Sequence, residues 1–116
     1  MNGFYGLPSG KVEWNEPFSS GAIREAKEEV GVTIMPEHLH HAITIHRHDD
    51  GTDWVDVYFE VDAWQGEVIN AEPDVHSAVA WLDLTALPEN VIPAVKYALE
   101  QNELGKSYAE YGWENS

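Results

Sequence analysis

The stretch Gly10–Val32, GKVEWNEPFSSGAIREAKEEVGV, decides how the rest of the 116-residue chain is interpreted. From Phe18 to Val30 its apolar residues recur at spacings of three and four, which indicates an amphipathic helix. Ser19 or Ser20 can cap the start of this helix, and Gly31 stands where a helix commonly ends on a glycine. The stretch therefore predicts one helix over residues 18–30.

This predicted helix carries three glutamates on one face. Glu25 precedes Glu28 by three residues and Glu29 by four, spacings at which like charges destabilise a helix. The negative end of the helix dipole adds a further penalty near the last turn. One interpretation is a solvated acidic face that Arg24 and Lys27 partly neutralise. The other is a site for a hard divalent cation, Mg²⁺ or Mn²⁺, because these ions take oxygen ligands.

The wider spacing favours the cation site. The stretch follows the pattern Gly-x5-Glu-x7-Arg-Glu-U-x-Glu-Glu-x-Gly-U, where U is apolar. This pattern resembles the Nudix box, and its seven fixed identities would coincide by chance on the order of once in 10⁸ starting positions. The resemblance continues in Leu7-Pro8-Ser9-Gly10, with serine where the family usually has a glycine, and in Trp81-Leu82-Asp83-Leu84 followed by Leu87-Pro88.

The resemblance implies an enzyme that uses Mg²⁺, or Mn²⁺ in its place, and an attacking water to cleave a pyrophosphate linkage. The implied substrates are nucleoside di- or triphosphate derivatives: nucleoside triphosphates, oxidised nucleotides, ADP-ribose or nucleotide sugars. Similarity also assigns roles to individual residues. It implies metal binding and water activation by Glu25, Glu28 and Glu29, orientation of these carboxylates by Arg24 and Glu16, a backbone carbonyl ligand from Ser9, and structural roles for Gly10 and Gly31.

A further acid often comes from the loop before the late strand in this family. Glu72 lies nine residues before Trp81 and is the candidate, as a metal ligand or as the general base. An exposed loop glutamate without a catalytic role explains Glu72 almost equally well. Glu67 and Asp74 are weaker alternatives. The identity of the base stays open among Glu25, Glu29 and Glu72.

The rest of the chain predicts an α/β (α+β) fold, a mixed sheet sandwiched between helices in a single domain over 1–116. Glycines and prolines in the first seventeen residues predict a loop there. His40–His48 and Trp54–Ala63 alternate and form a hairpin around a turn at Asp49–Thr52. In the second strand the valines and Phe59 alternate with Asp56, Tyr58, Glu60 and Asp62. The later predictions are a polar loop at Ile69–Ser77, a strand at Ala78–Leu84, a helix from Pro88 to about Gln101, and a packed tail at Ser107–Ser116.

Charge and composition exclude several classes of protein. Asp and Glu number 21 against 6 Lys and Arg, a net charge of −15, which opposes binding to a nucleic-acid polymer or an anionic membrane. Cysteine is absent, and we expect a cytoplasmic protein. A zinc site is disfavoured, because no carboxylate or cysteine completes a ligand set with the histidines. Five aromatics could stack on a base but are equally core candidates: Tyr5, Trp14, Phe18, Tyr58 and Trp64.

The chain begins only nine residues before Gly10. Nudix domains usually carry a strand, often a hairpin, before the box, so we expect this chain to lack its usual N-terminal strand. An uncovered sheet edge is a liability, which favours a homodimer in which a partner covers the edge, or a truncated form of the protein. The alternative function is a catalytically weak or inactive Nudix-fold module that binds a nucleotide without hydrolysing it.

Overall fold

The computed structural model describes residues 3–8, 15–49, 51–67, 81–83 and 93–113. One sheet with strand order β4-β1-β3-β2-β5 forms its centre. The pairs are antiparallel except for β2 and β5, which run parallel. The elements in chain order are β1 (Gly3–Pro8), α1 (Phe18–Val30), a 3₁₀ turn (Pro36–His38), β2 (Leu39–Asp49), β3 (Thr52–Val61), β4 (Trp81–Asp83), α2 (Pro93–Glu103) and β5 (Tyr108–Tyr111).

The predicted mixed sheet between helices is confirmed, because each face of the sheet has its own buried cluster. On one face α1 packs against the sheet, and on the other face α2 does so. Since successive side chains of a strand point to opposite faces, neighbours in sequence belong to different clusters. The α1 cluster contains Tyr5, Ala22, Ala26, Val30, Val57, Phe59 and Val61, and the α2 cluster contains Phe4, Ile43, Ile45, Tyr58, Val95 and Ala98.

Strand β1 lies inside the sheet, between β4 and β3. The loop predicted for the first seventeen residues is therefore wrong over Gly3–Pro8. Glycine and proline usually interrupt strands, yet Phe4 and Tyr5 between them are fully buried on opposite faces of the sheet, at 0% and 1% exposure. A strand thus precedes the Nudix-like motif at Gly3–Pro8. The expected lack of the usual N-terminal strand region stays a prediction.

Helix α1 has the predicted bounds, Phe18–Val30, but its start differs from the prediction. The N-cap is Pro17 rather than Ser19 or Ser20, and it makes no side-chain capping bond. Its extended backbone lets its carbonyl oxygen accept a hydrogen bond from the Gly21 amide at 2.9 Å. Gly31 ends the helix in the left-handed conformation, with φ of 76°, as predicted.

The predicted hairpin is confirmed as β2 and β3, but two side chains assigned to its polar face are buried. Asp56 and Tyr58 are each 1% exposed and lie on the face covered by α2. Arg47 makes this possible for Asp56, since its Nε and Nη2 donate to the two carboxylate oxygens at 2.5 and 3.2 Å. A buried carboxylate is tolerated only when it is paired in this way. Arg47 also lies 5.3 Å from the ring centre of Trp54.

The C-terminal part of the chain forms β5, which continues the sheet beyond β2. The packing predicted for the tail is confirmed for residues 108–113. The Trp113 ring lies 4.8 Å from the rings of both His46 and His48. Its Nε1 donates a hydrogen bond to the His46 carbonyl oxygen at 3.1 Å. The tail is thereby anchored across β2.

Some predicted elements extend beyond the described ranges. The late strand is described at Trp81–Asp83 and the second helix from Pro93 to Glu103. The remaining residues of those two predictions, and the loop predicted at Ile69–Ser77, lie outside the described residues. Within the described ranges, the helices are too short or too polar to cross a membrane.

Replacing Gly6 with Ala is expected to destabilise the fold. Gly6 pairs with Tyr58 across β1 and β3, and a Cβ at Gly6 would lie 2.4 Å from the Tyr58 ring. Because the ring is buried against Phe4 at a centroid distance of 5.1 Å, it has little room to move. Overpacking of this kind costs about 1–3 kcal/mol of unfolding free energy, measured in urea.

The matched control is Gly51→Asn in the β2–β3 turn. A Cβ there meets nothing within 4 Å, and asparagine tolerates the positive φ of 77°. This variant should unfold close to the wild type. Equal stability of Gly6→Ala and Gly51→Asn would contradict the role of Gly6.

Candidate active site

Helix α1 presents its acidic residues at the boundary between the core and the surface. Ala22 and Ala26 are fully buried against the sheet, so the helix lies directly on it. Glu25, one position from Ala26, is only 8% exposed. Glu28 and Glu29 follow one turn later and are exposed. The three carboxylates are therefore partly desolvated on one side and open to solvent on the other.

Arg24 gathers three of the predicted site residues. Its Nε and Nη2 donate to the two oxygens of Glu16, both at 3.2 Å. Its Nη1 donates to Glu28 at 3.1 Å and lies 3.4 Å from Glu25. Asn15, immediately before Glu16, is in a turn and has a left-handed φ of 66°. The hydrogen bonds to Glu16, together with the charges of Glu25 and Glu28, raise the pKa of Arg24 above its usual value.

Glu29 is held from the sheet. The Tyr5 hydroxyl of β1 donates a hydrogen bond to Glu29 Oε2 at 3.2 Å. Burial, together with Glu29 and Glu25, raises the pKa of the Tyr5 phenol well above its usual range. Tyr5 therefore remains a neutral donor. The sequence predicts Tyr5 only as a core or stacking residue, because nothing in GFYGLP indicates a partner 24 positions away.

The composition of this site suits a hard divalent cation. Among the described residues, the hydrogen-bonded group joins the carboxylates of Glu16, Glu25 and Glu28 to the Arg24 guanidinium, and the Glu29 carboxylate follows on the same helix. These four carboxylates and one guanidinium carry a formal excess of three negative charges. Oxygen atoms of Glu25 and Glu28 already converge on one positive atom, Nη1. In the described ranges no three acidic or histidine side chains are close enough to hold an ion between them. The fit to a cation rests on the donor type and on this convergence.

The remaining candidate residues are not brought to the site by the described chain. Glu67 is exposed after β3, and Gly31 caps α1 as expected for a structural residue. Ser9, Gly10, Glu72 and Asp74 lie outside the described residues, so their assignments stay predictions.

The aromatic candidates differ in their placement. Tyr5 and Tyr58 are buried in the two core clusters, and Trp14 lies outside the described residues. Phe18 is 39% exposed at the start of α1. Trp64 packs against the α1 cluster and lines an open cavity of about 140 Å³. Of the four described residues, Phe18 and Trp64 keep a surface that a planar ring could contact.

The histidines engage carboxylates that the sequence analysis did not pair with them. His38 Nδ1 and His40 Nε2 lie 2.7 and 3.1 Å from the two oxygens of Asp62. His48 Nδ1 lies 2.8 Å from Asp53. The pairing of Asp62 with two imidazoles follows from the hairpin, because Asp62 directly follows β3 opposite the start of β2. These contacts are surface hydrogen bonds remote in sequence from the acidic helix.

Comparison with known proteins identifies the family. The family model of the NUDIX domain matches residues 2–101. The chain belongs to the Nudix family. A solved structure of a MutT NUDIX hydrolase from Burkholderia pseudomallei is similar to it, with a TM-score of 0.59 and 33% sequence identity. The similarity covers 78% of this chain and 70% of that chain. A comparison with curated proteins found no match.

The family match agrees with the described geometry. It includes β1, α1, both strands of the hairpin and most of α2, whereas β5 lies beyond it. The chain is therefore a member of the Nudix hydrolase family. Its acidic helix α1 carries three glutamates of the Nudix-like motif.

We expect the carboxyl pKa of Asp62 to depend on His38 and His40. Hydrogen bonds from His38 and then His40 hold this pKa below its usual value. A lowered carboxyl pKa stabilises the fold above the ordinary value near 3.9, and this contribution disappears as pH falls through the folded-state pKa. Replacing both histidines with Ala removes both hydrogen-bond donors and should return the pKa towards about 3.9. NMR titration of the Asp62 carboxyl carbon measures the shift.

The control is His41→Gln. The His41 ring contacts Thr44 at 2.9 Å instead of Asp62. This variant should leave the Asp62 titration unchanged. An unaltered pKa in the double variant would refute the assigned cause.

Proposed function

We propose that this Nudix protein is a Mg²⁺-dependent pyrophosphohydrolase, with Mn²⁺ as a possible substitute. It cleaves a pyrophosphate bond in a nucleoside di- or triphosphate derivative by attack of water. The observation that carries the proposal is the contact of Arg24 with Glu16, Glu25 and Glu28 at 3.1–3.4 Å. Family membership supports hydrolysis in general, and this arrangement supports the metal-assisted form.

The chemistry requires charge neutralisation and a positioned water more than covalent catalysis. A divalent cation, when bound, lowers the pKa of bound water and offsets charge on phosphate oxygens. Glu25, Glu28 and Glu29 would hold it, with Ser9 as a further ligand through its carbonyl oxygen. Glu16 fixes Arg24, and Arg24 in turn restricts the side chains of Glu25 and Glu28.

Proton acceptance from the attacking water falls to a carboxylate of the same site. Glu25 is the most desolvated of the three helix acids, but Arg24 lies against it. Glu29 is exposed and faces solvent, with one oxygen held by Tyr5. Glu72 is the candidate from the loop before β4. The base is one of these three residues.

The net charge of −15 supports a cation-dependent mode of substrate binding. A polyanionic nucleotide approaching this acidic helix meets repulsion, since four carboxylates stand against Arg24 and Lys27 in the described part of the site. Binding through metal ions removes this conflict. The same charge opposes binding of nucleic-acid polymers, so the proposed partners are small nucleotides.

Replacing Glu28 with Gln is expected to lower turnover roughly 100-fold without unfolding the protein. The Glu28 side chain is 58% exposed, so an isosteric amide leaves the core unchanged. Turnover is measured as release of phosphate or pyrophosphate from a panel of nucleotides with Mg²⁺. Chelation of the metal should abolish release, and added Mg²⁺ should restore it.

The control variant is Glu37→Gln, an exposed glutamate of the 3₁₀ turn. It removes one negative charge without touching α1, and it should retain wild-type turnover. Undiminished turnover in Glu28→Gln would show that the metal site is assigned incorrectly. A wild-type protein that binds nucleotide but releases no product would instead favour the binding-module alternative.

The homodimer and the cytoplasmic location stay predictions of the sequence. Size-exclusion chromatography with light scattering tests the dimer, for which we expect twice the chain mass. A stable and active monomer would contradict it.

A further inference from the structure

We propose that Tyr5 is a positioning residue of this site, whose hydroxyl orients the Glu29 carboxylate for binding a divalent cation. The inference rests on the proposed function, since it assigns a role within the same site. It concerns a residue outside the Nudix box and on a different element.

The position of Tyr5 makes its hydroxyl a rigid reference point. Its backbone pairs with Phe59 of β3 on one side and Trp81 of β4 on the other. Its ring is 1% exposed and belongs to the cluster that contains Ala22 and Ala26 of α1. A ring held by two strands and a helix cannot follow a moving carboxylate, so the carboxylate must adapt to the hydroxyl.

Glu29 needs a restraint that the helix alone does not provide. Glu25 and Glu28 are restrained by Arg24, which lies on their own helix. Glu29 is exposed in the last turn, and its long side chain has several rotamers available. The bond from Tyr5 at 3.2 Å selects among them and engages Oε2. Fixing one oxygen sets the direction in which the carboxylate presents the other.

A hydroxyl orients this carboxylate without neutralising it. A carboxylate only accepts hydrogen bonds, so the Tyr5 hydroxyl is the donor. A lysine or arginine at this place would cancel the charge that a cation needs. A neutral donor orients Glu29 and leaves its full negative charge for the metal. Hydrogen bonds of this kind commonly orient metal-binding side chains in proteins.

Tyr58 provides a comparison within the same sheet. It is also 1% exposed and lies on an adjacent strand, but on the face covered by α2. Its hydroxyl has no hydrogen-bond partner among the described residues. Of two equally buried tyrosines, Tyr5 thus donates to a carboxylate and Tyr58 does not.

The test measures Mn²⁺ binding alone, by electron paramagnetic resonance of the free ion, in Tyr5→Phe and Tyr58→Phe. Tyr5→Phe removes only the oxygen and should raise the Mn²⁺ dissociation constant roughly 10-fold. Tyr58→Phe removes an unpartnered hydroxyl and should leave that constant unchanged. Urea unfolding of both variants checks that the change in metal binding does not follow from lost stability.

A double-mutant cycle separates positioning from a general structural effect. In a Glu29→Gln background, Tyr5→Phe should alter Mn²⁺ affinity by less than about twofold, because its target has lost its charge. Equal affinity of Tyr5→Phe and wild type, or an equal loss in both backgrounds, would overturn the inference while leaving the proposed function intact. A wild type that binds no Mn²⁺ would overturn both.

Discussion

The antiparallel pairing of β1 with β3 is the interaction on which both cores depend. It places Phe4 on one face of the sheet and Tyr5 on the other, and each anchors a separate buried cluster. The pairing is close, because Gly6 leaves room for the Tyr58 ring directly opposite. The same strand delivers the Tyr5 hydroxyl to Glu29. Packing and site geometry therefore share one element, so a change in β1 is transmitted to the acidic helix.

The acidic helix is stable in spite of local rules that oppose it. Glutamates three and four residues apart repel one another, and those in the last turn face the negative end of the dipole. Tertiary contacts offset this: Arg24 binds carboxylates on its own helix and in the preceding loop, while Tyr5 binds from the sheet. The residual negative charge is the property that a cation-dependent Nudix hydrolase would use.

Local patterns predicted α1 and the β2–β3 hairpin, since each shows its own period over ten or more residues. They also marked the box acids, whose spacing is a property of sequence. Contacts between distant segments were not predictable in this way. Asp56 appeared polar and exposed because its partner Arg47 lies on another strand. The sequence of β1 predicts a loop, because the strand is stabilised by pairing with β3 and β4, which are distant in sequence.

The parallel strand β5 changes what the sheet offers to other chains. Without β5, the eleven-residue β2 would be an edge strand with a row of unpaired backbone groups. Within the described chain the edge strand is instead β5, which is four residues long and is followed by Trp113, hydrogen-bonded to the His46 carbonyl of β2. Short edge strands commonly protect a sheet against pairing with a strand of another molecule. The segment that covers the histidine-rich strand β2 therefore lies beyond the matched family region.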